Sequence, residues 1–210
     1  MKPAGESSPE LLMARPRMQR VPSPRLELFI QRNFLDEAEC AALIERIDAD
    51  RRPSTLANFN GDTSFRTSET CDLFATDPVV AAIVAKLDEI TGIDPAHGEV
   101  LQGQRYEAGQ EFKLHSDCFE PSSADYEEFC GVSGQRTWTC MVYLNDVTAG
   151  GATRFKEIGK TVQPERGKLL AWNNRLPDGR PNPATKHHAM KVRAGTKYVI
   201  TRWYRERPYT

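Results

Sequence analysis

The chain changes texture at Val100, and that change limits the folds open to it. From there to Tyr204 it runs as eight short β-rich stretches separated by Gly, Pro and Asn turns. These are Val100–Tyr106, Glu111–Ser116, Thr137–Leu144, Ala152–Phe155, Thr161–Val162, Lys168–Asn173, His187–Val192 and Lys197–Tyr204. None has the length or the 3.6-residue apolar period of a long helix. Many short strands at close spacing build a β-sandwich or a jelly-roll barrel.

The half before Val100 reads differently. Leu26–Ile30 alternates like a strand. Asp36 is a candidate N-cap with Glu39 three residues on, and Cys40, Leu43, Ile44 and Ile47 form an apolar stripe behind it. Asp77-Pro78 opens a second helical pattern, in which Val79, Val80, Ile83, Val84, Leu87 and Ile90 recur at helical spacing. Arg51–Ser68 is polar and suits a loop. Residues 1–24 hold Pro3, Pro9, Pro16, Pro22 and Pro24, and are expected as a flexible arm. The expectation is an α+β, mainly β, chain. A helical lead-in (25–99) supports a β core (100–210), the two forming one domain over 25–210.

Composition removes several classes of function. With 28 basic and 29 acidic residues the net charge is -1, which gives no support to nucleic-acid or membrane-surface binding. No apolar run approaches the ~20 residues of a membrane span, and MKPAGESSPE lacks the apolar core of a secretory leader. The five cysteines are odd in number and form no C-x-x-C pair. A reducing, cytoplasmic setting with free thiols follows as the expectation. Cys118 and Cys130 flank one irregular stretch and could pair under oxidation. That stretch, Cys118 to Arg136, is the longest insertion and directly follows the most chemical part of the chain. It suits a lid or a substrate-facing loop.

The chemical part is RYEAGQEFKLHSD, Arg105 to Asp117. It ends in His115-Ser116-Asp117. On a strand, residues i and i+2 share a face, so an imidazole and a carboxylate emerge together. A third metal ligand would have to come from His97, His187 or His188, the other histidines of the chain. Two histidines and a carboxylate cover one face of an octahedral ion and leave the other open. On the last strand, alternation places Lys197, Val199, Thr201 and Trp203 on one face. A lysine among such neighbours is either an edge residue or a buried cation that needs an anion.

Five ordered stretches carry a specific resemblance: YEAGQEFKLHSD, RTWTCMVYLNDVTAGGATRF, VQPERGKLLAWNN, TKH and GTKYVITRW. Together they resemble the catalytic domain of prolyl 4-hydroxylase-type, Fe(II)- and 2-oxoglutarate-dependent oxygenases. NFLDEAECAALI and Arg66-Thr67-Ser68 are similar to the N-terminal portion of that family. The resemblance implies a double-stranded β-helix (jelly-roll, cupin-like) core with N-terminal supporting helices. It implies Fe(II) held by His115, Asp117 and a late histidine. The family's spacing of ten residues before the lysine selects His187 over His188. Lys197 would hold the far carboxylate of 2-oxoglutarate. Tyr106, Thr153 and Trp203 match positions that line the cosubstrate pocket, and Arg136 and Arg205 match polar positions near the substrate groove.

The implied reaction couples 2-oxoglutarate and O2 to hydroxylation of an unactivated C–H bond, giving succinate and CO2, with ascorbate as a candidate reductant. Because Asp117 keeps its carboxylate, hydroxylation rather than halogenation is the expected outcome. A prolyl-type side chain of a polypeptide is the first candidate substrate. A free amino acid or other small molecule is the second. A non-catalytic metal-binding barrel and a zinc hydrolase compete from other classes, but neither has use for an anion pocket around Lys197. One departure from the resemblance is Lys191, where many relatives carry a proline.

Overall fold

The computed structural model describes residues 4–55, 64–124 and 126–209. Part of the Arg51–Ser68 loop expectation, residues 56–63, lies outside that range. In chain order the elements are α1 (Ser8–Met13), β1 (Gln19–Arg20), β2 (Leu28–Gln31), α2 (Glu37–Ala49), β3 (Arg52–Pro53), β4 (Glu69–Leu73) and α3 (Pro78–Thr91). Then come β5 (Leu101–Tyr106), β6 (Phe112–His115), α4 (Tyr126–Cys130), β7 (Arg136–Tyr143), β8 (Ala149–Gly150) and β9 (Thr153–Phe155). The chain ends with β10 (Lys160–Val162), β11 (Leu169–Asn173), β12 (His187–Ala189), β13 (Val192–Ala194) and β14 (Lys197–Arg205).

Two antiparallel sheets face each other. The larger has the order β1-β2-β11-β7-β14-β5-β4-β3 and the smaller β10-β9-β12-β6. This is the jelly-roll, double-stranded β-helix layout with helices outside. The strands anticipated after Val100 are present with ends shifted by one residue, except that His187–Val192 divides into β12 and β13. The division falls at Met190–Lys191, where Met190 N bonds Ala152 O and Val192 N bonds Gln110 O instead of continuing one ladder.

Two features depart from the sequence expectation. The N-terminal half supplies strands as well as helices: β2 pairs with β11, and β4 with β5. Glu69–Leu73 carries two acids in five residues, so its apolar pattern is weak; pairing against β5 makes it a strand. The stretch expected as a flexible arm is docked over much of its length. Leu12 is fully buried, Ser8 Oγ donates to Thr91 O at 2.6 Å, and Trp138 Nε1 donates to Gly5 O at 3.1 Å.

The helices follow their sequence signals. Asp36 and Glu39 form a reciprocal capping box at α2. Asp77 caps α3, Pro78 occupies its first turn, and Gly92 ends it at φ 64° in the left-handed region. A bidentate Arg46–Asp77 pair, 2.7 and 3.1 Å, joins the two helices. Their apolar stripes meet one face of the large sheet through Leu43, Ile47, Val80, Ile83, Leu87 and Ile200. The other face of that sheet, with the inner face of the small sheet, holds a second core of Tyr106, Tyr143, Phe155, Trp172 and Val199. β14 serves both cores by alternation. Arg202 and Tyr204 turn to the helices, where both bond Asp88, while Val199 lies in the second core. Among the described residues no helix is long and apolar enough to cross a membrane.

Helix α2 lies close on β5 because position 103 has no side chain. A Cβ there would sit 2.5 Å from Ile47 Cγ1 and 2.9 Å from Cys71 Sγ, both in fully buried side chains. Gly103→Ala should therefore overpack this contact and cost roughly 1–3 kcal/mol, read as a lowered urea midpoint at unchanged m-value. An unchanged midpoint would mean that α2 has room to shift.

Candidate metal centre and cosubstrate pocket

The site forms where the small sheet faces the large one. β12 pairs antiparallel with β6, and its register sets His187 directly opposite His115. Their rings lie 4.2 Å apart. Strand pairing ends at His115, so Asp117 comes from the turn that follows and not from the strand. A second contact brings it in: Thr139 on β7 donates to Asp117 Oδ2 at 2.7 Å, and Asn174 Nδ2 donates to Thr139 Oγ1 at 2.8 Å. Oδ1 is left 4.0 Å from His115 Nε2. One donor atom from each of His115, Asp117 and His187 falls within 4.8 Å of the other two, as a shared metal ion requires.

The hydrogen bonds behind the ligands fix their chemistry. His115 Nδ1 lies 2.7 Å from Lys113 O, and His187 Nδ1 lies 3.0 Å from Thr185 O. A carbonyl only accepts, so each Nδ1 carries a proton and Nε2 is the ring nitrogen left to face a metal. Burial also holds His115 well below the ordinary imidazole range, with the neighbouring His187 acting in the same direction. Phe112 stacks on the His115 ring with centroids 3.5 Å apart, and Phe155 and Trp172 flank His187. An oriented pair of imidazoles with one carboxylate is the donor set of a facial metal site with open positions. His188 turns the other way, to Glu111 at 2.9 Å, and His97 bonds Arg205 O elsewhere.

Lys197 is 1% exposed and lies opposite Tyr106 in the β14–β5 ladder. Its ammonium sits 4.8 Å over the Tyr106 ring and 5.4 Å over that of Tyr143. Burial pulls its pKa down to about 7, and among the described residues no anionic side chain counters that shift. Tyr106 bonds Gln104 at 2.7 Å, and Tyr143 holds Thr153 at 2.6 Å. Thr201 and Trp203 line the same cavity, with the Trp203 Nε1 buried and lacking a partner. These are the features of a slot for an anion: a buried cation, aromatic walls and unspent donors. A larger open groove, about 820 Å³, lies between residues 5–13, 20–27 and 173–182 and contains none of these groups.

The two expected groove arginines have separate fates. Arg136 grips Glu99 in a bidentate pair through Nε and Nη2, at 2.6 and 2.7 Å, and lies 4.0 Å over the Trp203 ring. Arg205 is turned away from the cavity: 4% exposed, it pairs with Glu99 at 2.6 Å and donates to the carbonyls of Phe129 and Gly134. It braces the 118–135 segment rather than a ligand. Arg207 adds bonds to the carbonyls of Cys130, Gly131 and Val132, so this part of the expected lid is clamped to the end of the chain. Sequence reasoning missed Arg66, Phe112, Tyr143 and Trp172. Arg66 lies in the cavity, 4.9 Å over Phe112 and bonded to Gln102 and Ser68. Its only sequence signal was membership of Arg66-Thr67-Ser68.

A double-stranded β-helix with a His–Asp–His cluster beside a buried lysine defines a candidate metal-binding scaffold. Comparison with known proteins agrees. The family model of the 2OG-Fe(II) oxygenase superfamily matches residues 101–205. Human prolyl 4-hydroxylase subunit alpha-1 is 30% identical over 209 residues, covering 97% of this chain and 39% of that protein. Probable prolyl 4-hydroxylase 9 of Arabidopsis thaliana is 31% identical over 197 residues, covering 83% and 67%. Among solved structures, the viral collagen prolyl hydroxylase of Paramecium Bursaria Chlorella virus-1 superimposes with a TM-score of 0.68 at 24% identity, covering 85% of this chain and 95% of that one. The chain belongs to the 2OG-Fe(II) oxygenase superfamily, in its prolyl 4-hydroxylase-like branch. It spans about two fifths of the human relative's length.

The iron of that family fits the three donors. His187→Ala should abolish Fe(II) binding, while His188→Ala should leave it intact, as measured by calorimetric titration under anaerobic conditions. The reverse result would mean that β12 is out of register by one residue.

Proposed function

We propose that this chain is an Fe(II)- and 2-oxoglutarate-dependent dioxygenase that hydroxylates an unactivated C–H bond. The favoured target is a prolyl-type side chain of a polypeptide, with succinate and CO2 as coproducts. One observation carries the proposal: a three-donor metal cluster and a buried lysine with no counter-anion among the described residues share one cavity. Bound Fe(II) would supply O2 activation coupled to 2-oxoglutarate decarboxylation. The polypeptide target is supported by the relatives, whose names denote prolyl 4-hydroxylases.

Each residue has a defined task in this reading. His115 and His187 present Nε2 because their Nδ1 protons are held by carbonyls. Thr139 occupies one Asp117 oxygen and leaves the other for the metal. Lys197 takes the far carboxylate of 2-oxoglutarate in a charge-assisted bond. Tyr106, Thr153 and Trp203 wall that end of the cavity. Phe155 and Trp172 keep water from His187. Arg136, stacked on Trp203, borders the space left for substrate. Ascorbate is the proposed reductant, and the cytoplasm the proposed compartment. Free thiols at Cys40, Cys71, Cys118, Cys130 and Cys140 support the latter. Residues 25–210 form the proposed catalytic unit.

Lys197 makes cosubstrate binding pH-dependent. A cation is needed to bind the carboxylate, and burial leaves the free lysine at about 7. Affinity should be full below that pH. It should weaken as pH rises, by up to about tenfold per unit, until the higher pKa of the anion-paired lysine is passed. Lys197→Ala should remove the pH dependence and weaken 2-oxoglutarate binding by about 3–5 kcal/mol, with Fe(II) affinity retained. Equal loss of both ligands would make the lysine structural.

The activity itself is tested by succinate release from 2-oxoglutarate when O2 is admitted to anaerobically Fe(II)-loaded protein. Proline-containing peptides should accelerate release. Basal release that ignores every peptide would move the substrate to a free amino acid or other small molecule. Absence of release together with absence of 2-oxoglutarate binding would end the oxygenase reading.

A further inference from the structure

Most cations on this protein are neutralised by its own acids. Arg15, Arg46, Arg52, Arg166 and Arg180, for example, pair with Glu89, Asp77, Asp72, Glu37 and Asp178. Several of the exceptions lie together, while the exposed Arg17, Arg193 and Arg207 lie elsewhere. Among the described residues, Arg154, Lys156 and Lys186 have no acidic partner within 4.0 Å, and all three are exposed. These three belong to the small sheet or its turns. Arg154 lies in β9, opposite Thr161 on one side and His188 on the other. Lys156 N bonds Lys186 O, which brings those two backbones together. Lys160 begins β10 opposite the inward-facing Phe155, so it shares that face and not the solvent face of Arg154. The nearby acids are already spent: Glu157 on Arg25, and Glu111 on His188 and Lys191. A chain of net charge -1 thus carries a concentrated positive face.

That face backs the site. Arg154 stands between Thr153, which lines the cavity, and Phe155, which packs on His187; Lys186 precedes His187 itself. The solvent side of the small sheet is therefore basic while its inner side holds the metal ligands. An extended chain covers roughly 3.5 Å per residue. A polypeptide with its target side chain in the cavity could lay residues about eight positions away across this face. The face offers a single-stranded nucleic acid no aromatic platform for stacking, and a lipid surface no aliphatic anchor beyond Leu114. Charge without stacking groups fits carboxylate side chains.

We propose that Arg154, Lys156 and Lys186 form a docking face for an acidic segment of the polypeptide substrate, flanking the residue to be hydroxylated. The proposal rests on the polypeptide-hydroxylase reading above, and the test separates the two. Two fluorescein-labelled proline peptides are compared, one carrying four Glu on one flank and one carrying four Gln there. Binding is followed by anisotropy on the intact Fe(II)-loaded protein, and peptide-stimulated succinate release is followed in parallel. The Glu peptide should bind roughly tenfold more tightly at low salt and show a correspondingly lower KM. That advantage should vanish in 0.5 M salt and in Arg154→Glu/Lys156→Glu. Basal succinate release of the double variant should match that of the parent protein, showing that the site is intact. Equal binding of the two peptides, or a Glu advantage that survives the double variant, would overturn the docking face. So would a labelled oligothymidylate that outcompetes the Glu peptide at physiological salt. Selective, variant-sensitive binding of the Glu peptide without any stimulated succinate would keep the face and overturn the hydroxylase reading instead.

Discussion

The antiparallel register between β12 and β6 is the constraint on which the rest depends. Side chains on a strand alternate, so a slip of one residue would send His187 outward and bring His188 in. Register is held by the neighbours rather than by the histidines. β12 is clasped on its other side by β9, where His187 faces Phe155 and Ala189 faces Thr153. A phenyl ring and a threonine already bonded to Tyr143 favour one face only. The outward His188 is in turn held by Glu111. Both histidines are thus specified, one by apolar packing and the other by an acid at the surface.

The second constraint is electrostatic. Burying Lys197 between two tyrosine rings without a counter-ion costs stability that the fold must supply from its two cores. A pKa drawn down by burial alone marks Lys197 as a candidate functional group. The contrast with Glu99 is instructive. That buried acid also sits near the site, but Arg136 and Arg205 close on it from both sides and hold its carboxyl below the usual range despite burial. One buried charge is satisfied internally, whereas Lys197 has no acidic partner among the described residues.

The fold and site were legible in the sequence to different degrees. The strands after Val100 were readable because alternation and turn residues agree. The caps at Asp36 and Asp77 were readable because each pairs a short polar side chain with the first turn behind it. β4 was not, since Glu69 and Asp72 mask its alternation and only its place beside β5 makes it a strand. Docking of residues 4–20 was hidden by prolines and polar residues; it depends on Leu12 finding a site against α3. Arg205 gave no sign of its direction, because one exposed-looking arginine near a chain end reads the same whether it meets a ligand or Glu99.

The sequence by itself determined the chemistry: which residues bind metal, the ten-residue spacing that separates His187 from His188, and the face of β14 that carries Lys197. These are local properties, set by alternation and by residue type. Tertiary structure alone decided how the groups meet. It brought Asp117 in through Thr139 and Asn174 after its strand had ended, set Arg66 and Tyr143 in the cavity, and turned Arg205 away from it. It also gathered Arg154, Lys156 and Lys186, which have no acidic partner among the described residues, onto one side of the small sheet. Such outcomes depend on contacts between residues tens of positions apart, and no local pattern encodes the distance or direction of those contacts.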